Sequence, residues 1–118
     1  MTSEELKKRT KEMSLSILRL VASLPHTREV DIFSRQVIRS ATSVAANYRA
    51  ACKARSRADF INKIGIVEEE ADETALWIEY LIDLNIVPKD KGEAILGEVH
   101  ELVAIFAASG KTAKRQRK

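Results

Sequence analysis

Cysteine is nearly missing from this chain: Cys52 stands alone among 118 residues. One thiol cannot staple a fold, so the disulfide scaffold of a small secreted domain is excluded and a reducing, cytoplasmic location is expected. Proline and glycine are scarce too, at two and four residues, and both prolines, Pro25 and Pro88, fall between long periodic stretches. Aromatic residues make up 5%, too few for an all-β sandwich of this size. No apolar run approaches the 18 or so residues that mark a bilayer span, so no membrane role is expected. The charged start (Glu4, Glu5, Lys7, Lys8, Arg9) does not read as a secretory signal.

What the chain has is apolar periodicity. At 45% hydrophobic and 31% charged, it is long enough for one domain with a real core and too short for two. Thr2 with Glu5 three residues on is a capping box that opens a first helix over residues 3–24. Along it Leu6, Met13, Ile17, Leu20 and Leu24 recur at helical spacing, and Pro25 ends it by disfavouring the helical conformation of the residue before. A second helix, residues 28–54, carries Phe33, Val37, Ala41, Val44, Tyr48 and Ala51 on one stripe. Its middle is rich in Ser and Ala, so tight helix packing is expected there, with Ala45→Leu as the disruptive change. Ser56 with Asp59 opens a third helix, residues 57–85, on the cleanest seam of the chain: Phe60, Ile64, Val67, Ala71, Thr74, Ile78 and Leu81. Asn85 is its expected stop. A fourth helix, residues 89–108, follows Pro88 on Ile95, Val99, Leu102 and Phe106, with Gly110 ending it. Four amphipathic helices on short loops predict an all-α, antiparallel up-down-up-down four-helix bundle over residues 1–110, then a flexible basic tail, 111–118.

The net charge of +3 hides an asymmetry. The tail holds Lys111, Lys114, Arg115, Arg117 and Lys118 and no acid. Residues 28–63 carry eight cations against Glu29, Asp31 and Asp59, whereas residues 64–83 carry seven acids and no cation. Arg49, Lys53, Arg55 and Arg57 crowd the hairpin between the second and third helices, with Tyr48 adjacent and Lys63 just beyond. Guanidinium forks and the free N–H groups of a helix start suit phosphate oxygens, so these residues and the tail are the candidate nucleic-acid contacts. Solvated charge, or pairing with the acidic row, is the alternative. If residue i of the second helix lies level with about 110 − i on the third, Arg39 pairs with Asp72 or Glu68, within a subunit or across an interface. The third helix also carries surplus apolar surface, and Leu76, Trp77, Tyr80 and Leu84 are the candidate subunit interface.

Catalytic signatures are absent. There is no glycine-rich phosphate loop, no Cys/His zinc spacing and no nucleophile beside a base. The residue three before His100 is Gly97 rather than Glu, so no di-metal bundle site is expected. No enzyme, metal or cofactor is expected.

Three runs carry a resemblance: Ile38 to Tyr48 (IRSATSVAANY), Ala54 to Ile64 (ARSRADFINKI), and Glu69 to Thr74 (EEADET) with Trp77. The chain resembles the bacterial four helix bundle proteins encoded in intervening sequences of large-subunit ribosomal RNA genes, over roughly residues 10–108. The resemblance implies a small antiparallel bundle that assembles as a pentamer, related to the nucleic-acid-binding accessory variability protein of retroelements. Where such proteins commonly carry a Glu soon after Asn-Tyr, this chain has Arg49-Ala50-Ala51, a more basic stretch. The expectation is a non-catalytic homo-oligomer that binds RNA or DNA, structured RNA foremost, with little sequence preference. The rival is a scaffold for a protein partner that covers the apolar patch and the acidic row and has no nucleic-acid role.

Overall fold

The computed structural model describes residues 1–116; Arg117 and Lys118, both part of the expected tail and the first also a candidate contact, lie outside the described residues. Four helices follow one another on short loops: α1 (Ser3–Ala22), α2 (Arg28–Cys52), α3 (Arg57–Asp83) and α4 (Lys89–Gln116). Among the described residues no helix is long and apolar enough to cross a membrane.

Local chemistry sets the helix ends. Thr2 Oγ1 accepts from the Glu5 N–H at 3.1 Å while the Glu5 carboxylate accepts from the Thr2 N–H at 3.2 Å, the reciprocal capping box. Thr27 caps α2 by accepting from the Val30 N–H. At α3, Ser56 Oγ accepts from the Asp59 N–H at 3.0 Å, but the Asp59 carboxylate reaches one residue further back, to the Arg55 N–H at 3.1 Å. That extra bond ties the hairpin loop to the helix it precedes. Asn85, at φ 56°, ends α3 in the left-handed region. It lets the Ile86 and Asn85 N–H groups close onto the Leu81 and Ile82 carbonyls, both at 3.0 Å, so the last orphan acceptors are satisfied.

Contacts between helices show the topology. Phe33 stacks on Tyr80, while Ser40 further along α2 meets Thr74 further back on α3. Gly92 lies against Ile82, and Gly110 against Ile64. Leu6 shares a groove with Ile105, and Met13 one with Ala94; Lys7 adjoins Lys53, and Val21 adjoins Ser34. In every pair the residue number rises on one helix as it falls on its neighbour. The bundle therefore runs up, down, up, down in a rod of 50 × 20 × 20 Å. Its axis is filled by Met13, Ile17, Val37, Ala41, Val44, Ile64, Val67, Ala71, Ile78, Leu81, Val99, Leu102 and Phe106, all nearly or fully buried. Each large apolar member contributes about 1.5–3 kcal/mol of burial. Ser40 and Thr74, both fully buried, join across the α2–α3 contact through a 2.9 Å hydrogen bond. The small-residue stretch thus packs closely where Ser40 and Ala41 lie; Ala45 is only half-buried.

One boundary differs from expectation by two turns. Gly110 does not stop α4, and residues 111–116 are helix rather than flexible tail. A glycine terminates a helix by turning left-handed, and no glycine here takes a positive φ. Continuation buries Ala113 and brings the Gln116 carbonyl to the Arg57 guanidinium, which donates to it. Together these contacts outweigh the roughly 1 kcal/mol that glycine costs inside a helix.

Candidate nucleic-acid interface

Antiparallel order brings the start of α1, the end of α2, the start of α3 and the end of α4 to one end of the rod. Residues 1–12, 49–63 and 98–116 make up that end, and they hold twelve of the cations against six carboxylates, Glu4, Glu5, Glu12, Asp59, Glu98 and Glu101. The rest of the described chain holds six cations against eleven carboxylates. The two charge populations are separated along the 50 Å axis, so the molecule presents one strongly positive end to an approaching polyanion.

The expected contact residues gather there, in different states. Arg49 and Lys53, one turn apart on α2, line an open hollow of about 480 Å³ with Lys7, Lys8, Lys11 and Glu4 of α1. Lys7 sits 2.9 Å from Glu4 and Lys8 sits 4.0 Å from Glu12. Among the described residues Lys11, Arg49, Lys53 and Arg55 have no carboxylate within salt-bridge distance. Arg57 is turned across the end of the bundle to Gln116 and, among the described residues, has no carboxylate within salt-bridge distance. Lys63 differs: its ammonium lies 2.9 Å from Asp59, and that pairing, helped by the Arg55 N–H, holds the Asp59 carboxyl below its usual range. Lys111, Lys114 and Arg115 are exposed on the last turns of α4. Tyr48 is no surface platform, because it is buried against Phe106 with ring centroids 5.7 Å apart. Its phenol is pushed well above its ordinary value, chiefly by that burial.

Arg39 requires a correction. It pairs with Glu70 at 3.2 Å and Glu73 at 2.5 Å, not with Asp72 or Glu68. Ser40 lies level with Thr74 instead of the expected residue 70, so the hairpin register is offset by one helical turn. Glu70 and Glu73 reach Arg39 of α2, while Asp72 opens with Glu69, Glu79, Leu76 and the edge of Glu73 onto a hollow beside His100 of α4. A further clamp joins the thinly packed α1–α4 seam. The Arg9 guanidinium donates to both oxygens of Glu98, at 2.8 and 2.6 Å, and lies 2.8 Å from Glu101. Those hydrogen bonds raise its pKa further, so Arg9 is spoken for and outside the anion-facing set.

Of the expected interface residues, Leu76, Tyr80 and Leu84 are 44%, 43% and 51% exposed. Trp77 is half-buried, its indole N–H donating to Glu73 and its ring beside Phe33 and Tyr80. At the positive end, Leu6, Phe60, Ile105, Ala108 and Ala113 wall an open apolar groove of about 800 Å³, with Arg57, Ser109, Thr112 and Gln116 as its polar lining and Met1 at its edge. Phe60, read from sequence as a seam residue, is partly exposed in that groove. No local sequence signal marks this difference, since its spacing is that of the core.

The sequence matches the 23S rRNA-intervening sequence protein family over residues 3–108. The chain belongs to this family. The resemblance carried by its central runs is thereby borne out. Among solved structures this family member is similar to the crystal structure of a protein of unknown function from the S23 ribosomal protein family of Bacteroides thetaiotaomicron VPI-5482. The two are 35% identical with a TM-score of 0.83, over 89% of this chain and 97% of that one. No curated protein matches the chain. The family match ends at residue 108, so the last two turns of α4, with Lys111, Lys114, Arg115 and part of the groove wall, lie beyond it.

Proposed function

We propose that this member of the 23S rRNA-intervening sequence protein family is a non-catalytic binder of nucleic acid, structured RNA foremost, which it holds by its positive end. The observation that carries this reading is the convergence of four helix ends whose cations outnumber carboxylates two to one. Arg49, Lys53, Arg55 and Lys11, unpaired among the described residues, supply charge that is not already committed to the fold. Phosphate contacts of this kind fix position without reading sequence, so little sequence preference is expected. The family's tie to ribosomal RNA genes makes ribosomal RNA fragments the first ligands to try.

The test is a gel shift with such fragments at two salt concentrations. Joint reversal of Arg49, Arg55 and Arg57 to Glu should weaken binding while leaving the helical signal intact. Binding that survives that triple change would place the site elsewhere. The same proposal has the bundle self-associate through the exposed apolar face of α3, where Leu76, Tyr80 and Leu84 form a patch of the kind that marks subunit contacts. The pentamer implied by the family resemblance is the expected assembly. Light scattering behind size exclusion reads it directly, and a monomer at micromolar concentration contradicts it.

A further inference from the structure

We infer that the apolar groove beside the positive end takes an unpaired nucleobase, so that the protein grips loops or bulges of an RNA rather than its duplex stems. This rests on the nucleic-acid reading above and names the part of the ligand that is bound.

Three features of the groove agree on that occupant. Its volume, about 800 Å³, lies within the range of small-ligand pockets, about 300–1,000 Å³. Its walls are apolar, with Leu6, Ile105 and the part-exposed Phe60 among them; a flat aromatic base can cover such a surface by stacking. Its polar lining is confined to a few groups, among them Thr112 and Gln116 on one wall and Arg57 on another. Hydroxyl and amide groups match the hydrogen-bonding edge of a base. The Arg57 guanidinium, which donates one bond to the Gln116 carbonyl, keeps further N–H donors for the adjoining phosphate. Charge complementarity excludes a plain hydrocarbon as the natural guest. The groove opens at the end of the rod where cations outnumber carboxylates two to one, so its occupant should combine an apolar face with negative charge. An unstacked nucleotide in a strand does so, and a base inside a duplex cannot leave its stack without a cost of a few kcal/mol. Sequence-tolerant stacking of this type is how single-strand binders add base contacts to an electrostatic track.

The experiment compares, at matched salt, one RNA stem-loop with an otherwise identical stem-loop whose loop sugars lack bases, so that phosphate charge is constant. Fluorescence anisotropy should show the base-less loop binding about 5- to 150-fold more weakly, the factor associated with one stacked base. Phe60→Leu should reduce binding of the intact loop within the same range and leave the base-less loop unchanged. Ala108→Leu, a change at an exposed position on the groove wall, should do the same by filling the space, and it serves as the second variant should Phe60→Leu fold poorly. A single-stranded DNA of the loop sequence should bind with the same dependence on Phe60, since the stacking surface is shared. If both loops bind equally and neither substitution separates them, the base pocket is wrong while the phosphate-binding end stands. If the intact protein binds neither loop at low salt, both readings fall together.

Discussion

Gly92 and Gly97 stand five residues apart on α4, yet alanine at the two positions should move stability in opposite directions. At position 97 an added methyl group meets nothing within 4 Å. Only the entropy of the unfolded chain changes, and alanine should stabilise the helix by about 0.5–1 kcal/mol. At position 92 the same methyl would sit 2.6 Å from Ile82 Cγ1 and 3.0 Å from both Ile82 Cδ1 and Val87 Cγ2. Cγ1 is one bond from Cβ, so it can withdraw only by taking χ1 off its rotamer or by moving α3 away from α4. Overpacking of this kind costs about 1–3 kcal/mol. Against a propensity gain of at most about 1 kcal/mol, the balance for Gly92→Ala is a loss of up to roughly 2 kcal/mol. For a domain of this size each kcal/mol shifts the melting temperature by roughly 3–6 °C. Thermal unfolding followed by circular dichroism should therefore rise by a few degrees for Gly97→Ala and fall for Gly92→Ala. Gly110→Ala, whose methyl would make an ordinary 3.5 Å contact with Ile64, should follow Gly97 and stiffen the turns that wall the groove. Stabilisation of Gly92→Ala equal to that of Gly97→Ala would refute the close approach of α4 to the end of α3.

Two further outcomes follow from the charge pairs. Arg9→Met should cost about 1–2 kcal/mol in urea unfolding because it strands the Glu98 carboxylate, whereas Glu101→Gln, at the more exposed partner, should cost under about 0.5 kcal/mol; equal losses would show that the clamp is not centred on Glu98. The Asp59 carboxyl is held below its usual range first by Lys63, so its contribution is present above the unfolded-state value and is lost as pH falls through the folded one. Asp59→Asn should therefore flatten the decline in stability as the pH falls below about 4, and an unchanged acid limb would count against the pairing.

The helices were legible in the sequence because each depends on neighbours three or four residues away. Thr2 with Glu5, Ser56 with Asp59 and the stop at Asn85 are all local signals, and each marks the helix end it was read for. What escaped depends on contacts distant in the chain. Gly110 reads as a stop until α3 is in place to bury Ala113 and to cap Gln116 with Arg57. Arg39 meets Glu70 and Glu73 because they neighbour Thr74, which packs on Ser40, whereas Asp72 lies toward His100; level along the axis does not report which side of α3 a residue takes. Lys7, Lys8 and Lys11 do not stand out in the sequence because Glu4, Glu5 and Glu12 offset the charge of their segment. Only the antiparallel return of α2 shows that they share a hollow with Arg49 and Lys53. Phe60 keeps perfect seam spacing, but the start of α1 does not fully cover it, and spacing alone cannot report coverage.

Salt dependence reads the positive end most directly. If Lys11, Arg49, Lys53, Arg55 and Arg57 make about five phosphate contacts, the logarithm of RNA affinity should fall against the logarithm of salt concentration with a slope of about −3.5 to −4.5. Reversing Lys11, Arg49 and Lys53 to Glu should flatten that slope by at least about 2. A flat response in the unaltered protein, or a slope untouched by the three reversals, would contradict the assignment of this end as the docking surface.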